Sequence, residues 1–223
     1  MQTGLANLSL NIYNILGRRK NPPREAILGA LKKAKDKKGL SLEEAGYLLN
    51  IAEPDLIREL FNIASRIKNE IYGERLVLFA PLYVSDFCVN NCKYCNFHSS
   101  NTGLIRKKLT LDEIEEQTRI LIDMGHKRVL LELGEDPQNN DIDYVVKVIE
   151  RIYAVKTDKG SIRRINVNIA ATTTENYRKL KSANIGTYQL FQETYHRPTY
   201  QRIHQGPKQD YDRQITAHCR AFE

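Results

Sequence analysis

The chain has 223 residues, of which 41% are hydrophobic and 27% are charged, and its formal net charge is +7. A chain of this length can bury a sizeable core, and no apolar run approaches the length of a membrane span. The first residues place their basic cluster after the apolar part, unlike a signal peptide, and three clustered cysteines with one alone are not a disulfide framework. We therefore expect a globular protein of the cytoplasm.

Residues 1–74 predict a helical region without a catalytic motif. Its predicted helices begin after Pro23, after the capping-box residue Ser41 and at Pro54. The lysine-rich run at 32–38 raises the question of nucleic-acid binding, but no aromatic residues interleave with it as a stacking surface requires. A solvated helix face near a helix C-terminus explains the run, so we expect no nucleic-acid partner.

Residues 75–223 predict a repeating strand and helix pattern. The predicted strands are 76–84, 128–133, 165–170 and 187–191, and the helices that follow them are 110–124, 142–153, 174–183 and one from about Asp210. Four strand-then-helix units in a row imply a parallel sheet with right-handed crossovers. The fold class is therefore α/β, and the pattern matches about four β/α units of a TIM-type barrel.

Three cysteines stand in a CxxxCxxC motif directly after the first predicted strand. They are Cys88, Cys92 and Cys95, and Tyr94 places an aromatic residue before the last of them. A structural zinc ion or a closed electron-transfer cluster takes four protein ligands, whereas three thiolates hold a four-iron cluster and leave one iron open. A zinc site with His98 as the fourth ligand stays open at this point, as do buried unligated thiols.

Polar motifs also follow the ends of the three later strands. In a parallel barrel the carboxyl ends of the strands share one rim, so we expect these motifs to converge on one cavity. Gly134 allows close approach of the backbone, and Glu135 can accept hydrogen bonds from an ammonium group, with a turn and helix cap as the alternative. Glu193 leaves an apolar strand, and Asn168 either faces the cavity or only finishes its strand. His196 is either a site residue or a surface imidazole.

Four stretches of the sequence together resemble the radical S-adenosylmethionine (SAM) enzymes. They are LFAPLYVSDFCVNNCKYC, which contains the CxxxCxxC motif with its aromatic residue, GEDPQNNDIDYVV, RRINVNIAATT and GTYQLFQETYHRPTY. Within these enzymes the chain resembles the tyrosine lyases, and among the tyrosine lyases it resembles those that act in the maturation of iron-iron hydrogenases. The tyrosine lyases of thiamine synthesis share the QETY run and are the alternative. The resemblance extends from about Leu40 to the last residue.

This resemblance implies a radical SAM barrel over residues 75–223 and two cofactors, a 4Fe-4S cluster and S-adenosyl-L-methionine. It implies that tyrosine is cleaved to p-cresol and dehydroglycine, and that dehydroglycine becomes carbon monoxide and cyanide. The implied partners are hydrogenase maturation proteins or an electron donor such as ferredoxin or flavodoxin. No catalytic residue is assigned. The implied site consists of the cluster ligands Cys88, Cys92 and Cys95 and the cofactor-binding residues Tyr94, Gly134, Glu135, Asn168 and Glu193.

The sequence departs from this family in two ways. After the QETYH run the family has an aromatic residue followed by arginine, whereas this chain has Arg213 followed by Gln214, which displaces the guanidinium by one position. The family also continues through the rest of the barrel to a second iron-sulfur cluster, whereas this chain stops after the fourth β/α unit. We therefore expect that the 223 residues alone do not complete the reaction.

Overall fold

The structure, a computed structural model, describes residues 12, 14–17 and 20–223. The chain divides into two compact units, Met1–Val77 and Leu78–Glu223. Within the described residues, no helix is both long enough and apolar enough to cross a membrane.

In the first unit, helices α1 (Arg24–Lys35), α2 (Leu42–Leu49) and α3 (Pro54–Tyr72) pack around a small apolar core. The capping box predicted for α2 is confirmed, because the Ser41 hydroxyl accepts a hydrogen bond from the Glu44 N–H and the Glu44 carboxylate accepts one from the Ser41 N–H. This exchange satisfies two N–H groups that the first helical turn leaves without partners. The buried core residues of this unit are Ile27, Leu31, Leu56 and Ile63.

The second unit is built on a four-stranded parallel sheet whose strands lie in chain order. The strands are β1 (Ala80–Ser85), β2 (Arg128–Leu133), β3 (Arg164–Asn168) and β4 (Thr187–Gln189). The helices are α4 (Leu111–Asp123), α5 (Ile142–Ala154), α6 (Thr174–Ser182), α7 (Arg197–Ile203), α8 (Tyr211–Ile215) and α9 (Ala217–Phe222), with a 3₁₀ turn at Pro207–Gln209. The predicted α/β class with a parallel sheet is confirmed.

The core of this unit lies between the sheet and helices α4, α5 and α6. Val84, Leu131 and Val167 are fully buried on neighbouring strands, and the Leu131–Val167 register holds the last two side by side. Helix α5 contributes an apolar face at helical spacing, with Val145, Val148, Ile149 and Ile152 buried. The helices therefore cover one face of the sheet, as β/α crossovers require, and the strand ends remain free to form a site.

Three of the four strands are shorter than predicted, since β1 has six residues, β3 has five and β4 has three, and the region after β4 also differs from the prediction. The first strand begins at Ala80 instead of 76. The side chains of residues 76–79 are exposed, and the backbone of these residues does not join the hydrogen-bond ladder of the sheet. A helix that was not predicted, α7, begins after His196 with Pro198 in its first turn, where proline is favoured. The helix predicted from about Asp210 is interrupted at Thr216, so that α8 and α9 are separate.

Candidate functional site

One cavity of about 480 Å³ lies at the carboxyl ends of the four strands. The structure brings all eight residues of the predicted site together in the wall of this cavity, namely Cys88, Cys92, Cys95, Tyr94, Gly134, Glu135, Asn168 and Glu193. Further polar residues that sequence reasoning missed line the same cavity, among them Asn90, Glu132 and Lys208. The cavity therefore contains both thiols and carboxylates beside a cation.

The three thiols of the cysteine loop differ in burial. Cys92 is buried, whereas Cys88 and Cys95 are half-buried. Burial raises the pKa of the Cys92 thiol, and the charges of Cys88 and Cys95 raise it further, while the cation of Lys208 lowers it. All three cysteines and Lys208 line the same cavity.

The donor set of this cavity fits an iron-sulfur cluster. Soft thiolate ligands select such clusters, and the three thiols face one cavity. In the described part of the chain, no group of three or more His, Cys, Asp or Glu side chains is placed to hold a single metal ion. His98, the fourth ligand in the zinc interpretation, lies outside this cavity wall, and its Nδ1 lies 3.1 Å from Asn91 Oδ1 and 3.0 Å from Ser100 Oγ.

Gly134 is the point where the end of β2 approaches the cysteine loop. Its N–H donates to the Ser85 carbonyl at 3.1 Å. A Cβ atom at this position would lie 2.3 Å from the Phe87 carbonyl oxygen and 2.9 Å from the Cys88 Cβ, which leaves no room for any side chain. Glycine is therefore needed to bring Glu135 beside the cysteines.

Glu135 is held by two donors from distant parts of the chain. Its Oε1 accepts a hydrogen bond from Arg213 Nη2 at 2.5 Å, and its Oε2 accepts one from Asn90 Nδ2 at 2.7 Å. The Glu135 side chain is only 11% exposed. Charge-assisted bonds of this kind fix the orientation of a carboxylate. The turn that the sequence offered as an alternative is made by the next residue, Asp136, which accepts the N–H groups of Gln138 and Asn139.

Arg213, the displaced arginine, has two partners in the structure. Arg213 bridges Glu135 and the Ala171 carbonyl oxygen. Gln214, at the position where the resemblance implies arginine, is buried in the wall of the cavity and donates to the Phe191 carbonyl at 2.9 Å. Consecutive residues of a helix are rotated by about a hundred degrees, so the side chains of Arg213 and Gln214 point in different directions.

A second polar network closes the other side of the cavity. The Tyr94 hydroxyl lies 2.8 Å from His204 Nε2 and 3.1 Å from Glu193 Oε1, and Lys208 Nζ lies 3.2 Å from the same carboxylate oxygen. His204 Nδ1 lies 2.8 Å from the Tyr200 carbonyl, which can only accept, so Nδ1 carries a proton. The single hydroxyl hydrogen of Tyr94 can bond either Glu193 Oε1 or Nε2 of the neutral His204 ring, one at a time. Burial raises the pKa of Tyr94 and lowers the pKa of His204. Both groups are therefore neutral near pH 7.

The remaining predicted residues differ in their places. Asn168 ends β3 in register with Glu132. Burial raises the pKa of Glu132, and the nearby polar side chains of Tyr83 and Asn168 oppose the rise. His196 is exposed outside the cavity wall, and its Nδ1 lies 2.8 Å from Thr199 Oγ1. Its surface interpretation is thus the one the geometry favours.

A parallel β/α sheet with a three-cysteine loop at the carboxyl ends of its strands defines a class of cofactor-dependent barrel enzymes. The family profile of the Radical SAM superfamily matches residues 82–223, and the chain belongs to this superfamily. Members of this family use a 4Fe-4S cluster and SAM.

Solved structures and curated relatives place the chain within the superfamily. A crystal structure of HydG, a maturase of the [FeFe]-hydrogenase, is 55% identical with a TM-score of 0.89, over 95% of this chain and 47% of that one. HydG from Carboxydothermus hydrogenoformans is 40% identical with a TM-score of 0.82, over 100% and 51%. The 2-iminoacetate synthase of Salmonella typhimurium strain LT2 is 30% identical over 175 residues, 77% of this chain and 44% of that protein.

These matches confirm the resemblance to the hydrogenase maturases, and the 2-iminoacetate synthase matches at lower identity. The chain spans about half the length of these relatives.

Proposed function

We propose that this chain provides the cluster-binding and SAM-binding part of a radical SAM tyrosine lyase of the HydG type. The reaction is the cleavage of tyrosine to p-cresol and dehydroglycine, followed by carbon monoxide and cyanide for the cofactor of iron-iron hydrogenase. The observation that carries this proposal is the 55% identity to HydG over 95% of the chain. The convergence of the eight predicted residues on one cavity supports it.

The proposal extends to the domains, the partners and the compartment. Residues 1–74 form a helical region and residues 75–223 the radical SAM part. The partners are the small-molecule substrate tyrosine, hydrogenase maturation proteins and an electron donor such as ferredoxin or flavodoxin, without nucleic acid or membrane. The protein acts in the cytoplasm.

In this proposal each element of the cavity has one task. Cys88, Cys92 and Cys95 would hold the cluster, which when bound supplies the electron for the reductive cleavage of SAM. Glu135 would accept hydrogen bonds from the ammonium group of SAM, and its carboxylate is already fixed by two donors. Tyr94 would provide an aromatic ring for the nucleoside. The protein thus positions the cofactors, which carry the difficult chemistry.

Glu193 and Asn168 complete the proposed contacts with SAM. Glu193 has a left-handed backbone conformation, with φ at 66°, and its carboxylate is paired with Lys208 at the cavity wall. A non-glycine residue in this conformation is uncommon and occurs at functional sites. Asn168 presents its amide from the end of β3.

The second candidate function is that of a 2-iminoacetate synthase, which stops at dehydroglycine. The observation that favours it is the 30% identity to the Salmonella typhimurium enzyme over 77% of this chain. The two types share every motif of the cavity, so their products distinguish them.

Anaerobic reconstitution with iron and sulfide tests the cluster directly. We expect close to one four-iron cluster per chain, measured by iron and sulfide content and by electron paramagnetic resonance (EPR) after reduction. Cys92→Ala should abolish the cluster because it removes a ligand. Cys219→Ala is the matched control, since Cys219 is exposed and lies outside the cavity wall. A purified protein that holds one tight zinc ion, lost in His98→Ala, would contradict the proposal.

A further inference from the structure

Asn90 lies inside the cysteine motif, between Cys88 and Cys92, and it is one of the few buried polar residues in the described part of the chain, at 2% exposure. We propose that Asn90 is a positioning residue that orients Glu135 and donates a hydrogen bond to the Cys88 sulfur, so that one side chain sets both SAM binding and the potential of the cluster. This inference rests on the proposed function.

The orientation of the Asn90 amide follows from its partners. Its Oδ1 lies 2.8 Å from the main-chain nitrogen of Lys208, and an N–H group can only donate, so this atom is the oxygen. Nδ2 therefore faces the cavity, 2.7 Å from Glu135 Oε2 and 3.7 Å from Cys88 Sγ. The amide nitrogen carries two hydrogens, and these two acceptors use both of them.

The segment that fixes Asn90 follows α7. Gly206, with φ at 85°, packs so closely on the cysteine loop that a Cβ there would lie 2.9 Å from Asn90 Oδ1 and 3.1 Å from Asn90 Cα. On either side, the N–H of Asn91 donates to Gln205 O at 3.0 Å and the N–H of Lys93 donates to Ile203 O at 2.9 Å. A side chain enclosed in this way has little freedom to rotate, which is what a positioning role requires.

The two donated bonds have separate consequences. Hydrogen bonds to the sulfur ligands are among the factors that set the reduction potential of an iron-sulfur cluster, because they stabilise the more negative reduced state. Asn90 donates to Glu135 Oε2 while Arg213 donates to Oε1, and the two bonds together fix the plane of the carboxylate. Removing the Asn90 donor should therefore lower the potential and weaken SAM binding together.

Asn90→Asp is the sharpest test, because it keeps an oxygen for the Lys208 N–H and replaces the two donors by a second oxygen. In the reconstituted chain we expect a more negative midpoint potential in an EPR-monitored redox titration. We also expect SAM to bind roughly tenfold to a hundredfold more weakly, as followed by its effect on the EPR spectrum. Neither readout depends on turnover.

Asn91→Asp is the matched control, the same chemical change one residue along the chain. The Asn91 oxygen accepts from Ser100 Oγ at 2.7 Å and its Nδ2 lies 3.1 Å from Gln205 Oε1, and the residue lies outside the cavity wall. We expect its potential and SAM affinity to match the wild type. Equal shifts in Asn91→Asp and Asn90→Asp would overturn the proposal, since they would reflect general loosening of the loop.

Asn90→Ala separates the lost donor from the added charge and should shift both readouts in the same direction. Wild-type values in both Asn90 variants would overturn the inference while the cluster in the wild type still supports the proposed function. Unfolding of both variants, seen by circular dichroism, would make Asn90 a folding residue and overturn it as well. A wild-type chain that takes up no cluster would instead refute the proposed function.

Discussion

The charged side chains of the cavity are paired across long distances in the sequence. Glu135 and Arg213 are joined at 2.5 Å with side-chain exposures of 11% and 29%, and Glu193 and Lys208 are joined at 3.2 Å. A sheltered carboxylate that loses its partner keeps its desolvation cost, whereas an exposed pair gains little from its attraction. The Glu135 pair should therefore contribute to stability as well as to the shape of the site.

Arg213→Gln should lower the free energy of unfolding by about 1 to 3 kcal/mol, because Glu135 keeps only the Asn90 donor. Urea unfolding at pH 7 measures the change. Arg197→Gln is the matched control, since the Arg197–Asp212 pair is 40% and 67% exposed. Its loss should cost less than about 1 kcal/mol. Equal effects of the two substitutions would contradict the argument from burial.

If the proposed site is correct, SAM binding should depend on both of the cavity carboxylates assigned to it, Glu135 and Glu193. Glu135→Gln and Glu193→Gln each keep the size of the side chain but remove the charge. Each variant should bind SAM roughly tenfold to a hundredfold more weakly, as followed by the effect of SAM on the EPR spectrum of the reduced cluster. Glu175→Gln, an exposed residue of α6, is the control and should leave the affinity unchanged. Unchanged affinity in both cavity variants would remove these residues from the site.

At the level of elements, the sequence predicts what local rules determine. The capping-box pattern at Ser41 predicts where α2 begins, and the structure has a second capping box, at Thr110, where α4 begins. The four strands could be predicted from their apolar runs, and in the structure these runs are buried beneath helices. Motifs at strand ends could be expected to converge because parallel strands share one rim.

The remaining features depend on tertiary contacts that no local pattern encodes. The pairs Tyr94–His204 and Asn90–Lys208 join residues 110 and 118 positions apart, through the segment after α7. Glu132 was missed because it stands within β2, where a carboxylate gives no motif. The sequence did contain one signal for Asn90. It is a polar residue between two cysteines of the CxxxCxxC motif, where its side chain has few possible hydrogen-bond partners.

Gly134→Ala tests the close approach of β2 and the cysteine loop. The added Cβ meets a main-chain carbonyl at 2.3 Å, which cannot move without shifting the loop, so we expect a lower unfolding midpoint and loss of cluster uptake. Gly103→Ala is the control, because its Cβ would meet only the Asn101 side chain at an ordinary 3.5 Å. Thermal melting and iron content measure the two effects. Full cluster content in Gly134→Ala would contradict the argument that the close approach of β2 to the cysteine loop requires glycine.

At the scale of the whole molecule, the cavity has one well-built wall and an open side. The cysteine loop and Glu135 are fixed by many hydrogen bonds, but the rings of Tyr83, Tyr94 and Phe191 at the cavity are each about half exposed. In the described sheet, β1 and β4 are edge strands with a partner on one side only. These residues can hold cofactors, while exclusion of water from a radical and precise placement of tyrosine require more enclosure.

We therefore expect the 223 residues alone to cleave SAM without coupling this cleavage to tyrosine. Reconstituted and reduced protein should release 5′-deoxyadenosine but no p-cresol and no carbon monoxide, because small errors in placing the substrate cost large factors in rate. The comparison is a version extended through whatever coding sequence follows codon 223, with p-cresol measured by chromatography. Carbon monoxide from the extended version would favour the HydG type, and p-cresol without it the 2-iminoacetate synthase type. Release of p-cresol by the 223 residues at the rate of the extended version would show that the open wall is closed in another way, for example by a second copy of the chain.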